Sequence, residues 1–374
     1  MKIKIDREPL SRILTFLLPG IPGKSIVAVD QLVLFSIRGD KCNIRITNAG
    51  CEMTGSVTVE SKEDIDFSCT LHRLARTVSH FPDGEVNIYT KENDLGYIGS
   101  VELKPEGKRN RYKIACFKPS DFPKWKIELE NPLIRFTLPM REFFDRMKIT
   151  GQNIQANNPS AAFSNITLLK DVNGKLALLT GDNLIMGKMT LPADIPESFI
   201  VDKILSKLMS TLNYDGECKI SLNKGDLHLE FAGLTLACKM IDNKIPDYLP
   251  LFENEPDNKF TVTKEDMMKS LTRISAYNED DNRVRLTIQE GNILRIFARD
   301  KKNNEAEEMI DILNDHDLEF DVAMSHVLLR EALSAMKTDT AEMCITTSKQ
   351  QIFLKPSGEN KHNQIWMFAP FGKV

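Results

Sequence analysis

The feature that most constrains this chain is a proline-centred pattern that returns at one spacing. Asp121-Phe122-Pro123-Lys124-Trp125 is followed by Lys244-Ile245-Pro246-Asp247-Tyr248 and, near the chain end, by Phe368-Ala369-Pro370-Phe371. The prolines lie 123 and 124 residues apart, and the near-copies Ile114-Ala115-Cys116 and Leu236-Ala237-Cys238 precede the first two. Other markers keep step. An amphipathic segment opens each unit, with Leu10, Phe144 and Met268 as equivalents, and a second ends at Asp83-Gly84, Asp215-Gly216 and Asp339-Thr340. From that last marker to the closing proline the first unit is nine residues longer than the others, which places an insertion in the polar run Lys91–Arg111. Solenoid repeats have periods of about 20–50 residues. Units this long are whole domains, and the 374 residues divide as 1–128, 129–255 and 256–374.

Within each unit, hydrophobic spacing predicts the same order of elements. Met1–Ile5 alternates as a strand, Asp6 can cap a helix with Leu10, Ile13, Leu14 and Leu17 on one face, and short alternating runs follow at 31–37, 42–47 and 55–59. Thr70 opens a second helix with Leu71, Leu74 and Val78 inward, and Phe81-Pro82-Asp83-Gly84 stops it before the strand Val86–Tyr89. The middle unit repeats this with a strand at Leu133–Leu138, a helix at Met140–Lys148, strands at Ala162–Leu169 and Leu176–Thr180, a helix at Val201–Thr211 and a strand at Glu217–Ser221. In the third unit Thr263 and Ser325 are the expected caps. Two amphipathic helices on many short antiparallel strands make an α+β unit whose helices cover sheet.

Composition excludes several classes. No apolar run approaches 18 residues and no basic start precedes an apolar, cleavable one, so neither a membrane span nor a signal peptide is expected, and the chain should stay in the cytoplasm. The seven cysteines form no CxxC pair and sit among apolar strand residues, so they read as buried small hydrophobes in a reducing compartment. The six histidines lack zinc-site spacing, and Gly23-Lys24-Ser25 has Leu18 where a P-loop needs glycine. No catalytic pairing can be assigned, so no enzyme, no metal and no cofactor are expected. Glu305-Ala306-Glu307-Glu308 could be an acidic cluster for metal-dependent hydrolysis, but it opens a run that reads as an edge strand.

The six predicted helices together carry a formal charge of +6 on a chain of net −4, leaving −10 elsewhere. Basic helices on an acidic protein suggest a surface for a polyanion. With few aromatic, Asn or Gln side chains on them, that surface would contact a nucleic-acid backbone without reading bases, weakly and with strong salt dependence.

Three domains of this plan resemble the bacterial DNA sliding clamp, the β subunit of DNA polymerase III. Asp121-Phe122-Pro123, Lys239–Tyr248, Asn303–Asp311 and Arg283-Val284-Arg285-Leu286 resemble that family's signature stretches, and the matches run the length of the chain. The resemblance implies a fold of three tandem clamp domains and a ring-forming homodimer, closed head to tail. Duplex DNA would be held without sequence preference, and replicative polymerase, clamp loader and repair proteins would dock through short linear peptides. The alternative is a monomeric scaffold of the same fold.

The resemblance also implies site residues. For ring closure it points to Arg73 and Tyr112 facing Ala276, Tyr277, Glu305, Glu307 and Glu308 of a second copy. For the peptide pocket it points to Phe163, Gly181, Asn183, Leu184, Ile185, Met186, Pro246, Leu251, Met367, Phe368, Ala369, Pro370 and Phe371. For DNA it points to Lys24, Asn157 and Lys203, with Arg73 assigned to the interface. The pocket departs from the family pattern: Gly181-Asp182-Asn183-Leu184-Ile185-Met186 lacks the usual basic pair, and Ala161-Ala162 replaces bulky aromatics.

Overall fold

The computed structural model describes all residues except 22–27, 49, 124–131, 133, 140, 142, 144–158, 206–215, 224, 254–257, 278–281, 289–290, 315–319, 346–350, 359–363 and 372–374. The first repeat runs β1 (Lys2–Asp6), α1 (Arg7–Leu17), β2 (Leu32–Arg38), β3 (Lys41–Thr47), β4 (Cys51–Glu60), β5 (Ile65–Thr70), α2 (Leu71–Ser79), β6 (Glu85–Glu92), β7 (Ile98–Pro105) and β8 (Tyr112–Phe117). The middle repeat supplies β9 (Ile134–Pro139), the short α3 (Ala161–Ser164), β10 (Ile166–Lys170), β11 (Lys175–Gly181), β12 (Ile185–Asp194), β13 (Phe199–Val201), β14 (Glu217–Leu222), β15 (Asp226–Phe231) and β16 (Leu234–Ile241). After α4 (Leu249–Glu253) the third has β17 (Asn258–Thr263), α5 (Lys264–Ser275), β18 (Arg283–Ile288), β19 (Ile293–Arg299), β20 (Glu305–Asn314), β21 (Phe320–Ser325), α6 (His326–Ala335), β22 (Thr340–Ile345), β23 (Ile352–Pro356) and β24 (Gln364–Phe368). The first and third repeats match element for element. The chain is α+β, three tandem copies of one unit.

Contacts gather the chain into two units, Met1–Asp145 with Ile204–Ile241, and Arg146–Lys203 with Asp242–Val374. In the first, β1 pairs with both β4 and β6, and the ladder continues β6–β7–β8–β5–β2–β3–β4 back to its start, all antiparallel. This closed circuit leaves few exposed edges. Asp6 caps α1 by accepting a hydrogen bond from the Glu8 N–H at 3.2 Å, and the face carrying Leu10, Ile13, Leu14 and Leu17 is buried against sheet and α2. β4 also pairs with β16 of the middle repeat, from Cys51↔Cys238 to Gly55↔Leu234. Gly55 is needed there, because a Cβ would stand 2.7 Å from Ile13 and 3.0 Å from Leu234. Phe16 meets Phe231 edge-on at 5.6 Å beside this joint.

The second unit repeats the plan: β17 pairs with β20 and β22, β18 with β19 and β21, and β22 with β23. Ser325 caps α6 through the Leu328 N–H at 3.3 Å, while Thr263 precedes α5 in extended conformation without a side-chain cap bond. β24 pairs with β23 and also with β12, from Ile185↔Phe368 to Met189↔Gln364. The last strand of a repeat thus completes the sheet of the repeat before it.

Several sequence expectations need correction. The equivalent buried helix positions are Leu10, Phe143 and Met267; Met268 is only half-buried, and Phe144 lies outside the described residues. The expected strand Ala162–Leu169 begins at Ile166, because Ala161–Ser164 forms a helical turn. Val201 ends strand β13 rather than opening a helix. Its β-branched side chain is buried, and the helical turn starts at Ile204. The first-repeat insertion lengthens β6 and β7 to eight residues each, against six in β14 and β15. All seven cysteines are free and buried, and burial raises the thiols of Cys42, Cys116, Cys218 and Cys344 to about 12. No helix among the described residues is long and apolar enough to cross a membrane.

His228 on β15 is buried and neither ring nitrogen has a hydrogen-bond partner, so burial pulls its pKa below the ordinary 6.5. The fold holds the neutral ring and the unfolded chain binds the proton more readily. Stability is therefore full above about pH 6.5 and declines as the pH falls through the lowered value. His228→Leu should flatten this part of the pH dependence in urea melts between pH 7 and 5.

Candidate protein-contact surfaces

The residues implied for a peptide pocket fall mostly on three pieces of chain in the second unit. The turn from β11 to β12 is built by Asp182, whose Oδ1 accepts the N–H groups of Leu184 at 2.6 Å and Ile185 at 2.9 Å, while its own N–H donates to the Ile185 carbonyl. Gly181 is required: a Cβ would lie 2.3 Å from the Ile185 oxygen and 2.7 Å from the Met186 Cα. The β12–β24 ladder sets Ile185 opposite Phe368 and Met186 opposite Met367, and the Ala369 N–H continues it to the Leu184 carbonyl at 2.9 Å. Phe371 is held by its N–H to the Ala323 carbonyl at 2.8 Å, with the Arg283 guanidinium 4.9 Å from its ring centre. On α3, the Phe163 ring lies 5.7 Å from Tyr248.

Gly181, Ile185, Met186 and Phe368 are buried and form the frame. Leu184 is 38% exposed, and Phe163, Leu251, Met367, Ala369, Pro370 and Phe371 are half-buried, which leaves apolar side chains open to a ligand. Asn183 and Pro246 are exposed. Tyr248 and Arg283, absent from the expected set, support it. Burial raises the Tyr248 pKa and a hydrogen bond with Ser160 opposes this. Tyr248 stands in the repeated Lys244–Tyr248 motif, a signal in the sequence; Arg283 has none, because only the return of Phe371 to β21 brings it near.

In the first unit, Arg73 and Tyr112 line one concavity with His72, Arg76, His80 and Phe81, and the Tyr112 ring packs 5.2 Å from Phe81. Neither Arg73 nor Arg76 forms an ion pair with a described residue. In the second unit, Ala276 and Tyr277 end α5 and are exposed. The acidic run is the edge strand expected of it, since residues 305–311 pair with β19 on one side only.

Two expectations for that strand change. Its side chains alternate, so Glu305 and Glu307 share an exposed face with Met309, whereas Glu308 points to the α5 side. The acids also have partners within the chain. Arg273 makes a two-pronged bond to Glu308 at 2.7 and 2.6 Å, Arg295 holds Glu307 at 2.5 Å, and Arg299 lies 3.3 Å from Glu305. These bonds to arginine lower the pKa of Glu307 and Glu308. The helix charge is likewise partly neutralised in place, by Lys269–Glu265 and Arg7–Asp83 as well as Arg273–Glu308. Of the residues expected at DNA, Lys203 is exposed with its N–H on the Asn165 Oδ1 at 3.1 Å, while Lys24 and Asn157 lie outside the described residues.

Three copies of an α+β unit, each lending its last strand to the sheet of the one before, define a protein of the sliding-clamp fold. The sequence profile of the DNA polymerase III beta subunit, C-terminal domain, matches residues 250–370. The beta sliding clamp of Salmonella typhimurium is 22% identical over 363 residues, covering 94% of this chain and 95% of that protein, and that of Haemophilus influenzae is 24% identical over 371 residues, covering 92% and 93%. Among solved structures, the Borrelia burgdorferi DNA polymerase III subunit beta, in complex with a natural product, superposes with a TM-score of 0.89 at 17% identity, covering 100% of this chain and 99% of that one. The Pseudomonas aeruginosa sliding clamp bound to griselimycin gives 0.87 at 19% identity, with both chains fully covered. The chain belongs to the family of the bacterial DNA polymerase III beta subunit, the beta sliding clamps.

Proposed function

We propose that two copies of this chain close head to tail around duplex DNA and act as a sliding clamp, without catalysis, and that the apolar surface of Leu184, Met367 and their neighbours docks short linear peptides of the polymerase and other DNA-processing proteins. The observation that carries this is a pair of unused strand edges. β16 joins β4, and β24 joins β12, so the last strands of the second and third repeats are both taken. The first residues of β8 and residues 305–311 of β20, the equivalent edges of the first and third repeats, have no such partner among the described residues. Only a second copy can supply the missing joint, and a half-turn relation lets two such joints close.

A closed ring retains DNA by topology, so its contacts with phosphate can be weak enough to slide. Arg73 and Arg76 on α2 supply uncompensated positive charge for such contacts or for the joint. The apolar groove suits hydrophobic peptide anchors, and a ligand-bound relative supports a binding role for such a fold.

The expected result is a particle of twice 42.4 kDa by light scattering that persists through dilution and is retained on nicked circular DNA after loading. Tyr112→Asp should shift the mass to the single chain and abolish retention. A single-chain mass for the unaltered protein at every concentration would remove topological tethering and leave a monomeric scaffold.

A further inference from the structure

The two joints inside the chain share one register, and we infer that the joint between copies repeats it, pairing Glu305 with Lys113 and Glu307 with Arg111 of the second copy. This rests on the closed dimer proposed above. Each internal joint has five consecutive pairs, from Cys51↔Cys238 to Gly55↔Leu234 and from Ile185↔Phe368 to Met189↔Gln364. Cys51 and Ile185 are the first residues of equivalent ten-residue strands.

The ladders within repeats carry that register to the free edges. Ile5 and Val262 are equivalent, each one residue before the helix-capping position, and they pair with Val59 and Ile312. Counting back eight residues from each makes Cys51 equivalent to Asn304. At the other edge, Val86 pairs with Ile5 and Cys218 with Leu138, at the same place in their repeats. Two residues on, Ile88 leads across to Leu103 and then Tyr112, and Ile220 to Leu229 and then Leu236. Tyr112 is therefore equivalent to Leu236, and Ile114 to Cys238. The third joint runs Asn304↔Ile114, Glu305↔Lys113, Ala306↔Tyr112, Glu307↔Arg111 and Glu308↔Asn110.

Two independent features agree with this register. Opposed residues of a ladder must share a face. Glu305, Glu307 and Lys113 are all on exposed faces, whereas Tyr112 packs against Phe81 and Ala306 lies on the α5 side. A slip by one residue would send Tyr112 to the charged face. In addition, Arg111 and Lys113 form no ion pair with a described residue, although Glu102 lies near enough for both to help Lys104 lower its pKa. The joint gives each cation a carboxylate, shared with Arg295 or Arg299.

The test is a charge exchange. Lys113→Glu with Arg111→Glu in one chain, and Glu305→Lys with Glu307→Lys in another, should each weaken self-association about 100-fold, while an equimolar mixture recovers a mixed dimer within about tenfold of the unaltered one. Tyr112→Cys with Ala306→Cys should cross-link between copies on mild oxidation, and Tyr112→Cys with Glu308→Cys should not. If the unaltered protein dimerises but the mixture stays monomeric, or the second cysteine pair cross-links instead, the register is wrong while the dimer stands. A monomeric unaltered protein would remove both.

Discussion

Leu184→Glu combined with Met367→Glu is expected to weaken capture of a hydrophobic peptide about 100-fold, equivalent to about 2.7 kcal/mol, with melting and dimer mass unchanged. Both side chains are at least partly exposed, so neither change buries a charge in the frame of the groove. Met367 stands opposite Met186 in the β12–β24 ladder, and Leu184 closes the turn whose carbonyl receives the Ala369 N–H. Two carboxylates there would have to be desolvated by any apolar anchor, and a few such anchor contacts carry most of the energy of a peptide site. Fluorescence anisotropy with a labelled peptide from the cognate polymerase measures this directly. Unchanged affinity would mean that peptides dock elsewhere, even though the chain folds and closes as a clamp.

Trp366→Ala is expected to cost about 3–5 kcal/mol, as large aromatic-to-alanine changes in cores do. The indole is 1% exposed, and its residue lies between two ladders, opposite Gly187 in β12 and Leu354 in β23. Removing it would open a cavity where the middle and third repeats share strands, so both the second unit and the peptide groove should weaken. Urea melting followed by near-ultraviolet circular dichroism should show an early transition. The His228-linked pH dependence, which belongs to the first unit, should remain. A loss under about 1 kcal/mol would mean that the sheet collapses around the gap.

Much of the architecture is legible without coordinates. The inward faces of α1, α2 and α6, the caps Asp6 and Ser325, and the repeat itself follow from spacing along the chain. The errors are equally instructive. Ala162–Leu169 reads as one apolar run, but its first residues turn as a helix to bring Phe163 to Tyr248. The acidic run reads as a free negative edge, yet each of its carboxylates is held by an arginine at least twelve residues away in sequence or on another element, Arg295, Arg273 or the closer Arg299.

What the sequence by itself determined is the unit and its number: hydrophobic periods of two and 3.6 are written in neighbouring residues, and a pattern repeated three times makes three copies of one fold. Only the tertiary structure decided which edges are used and which remain. Strand pairing joins residues such as Cys51 and Cys238, or Ile185 and Phe368, that are far apart in the chain. Their match depends on backbone hydrogen bonds and shared faces, which no local pattern encodes.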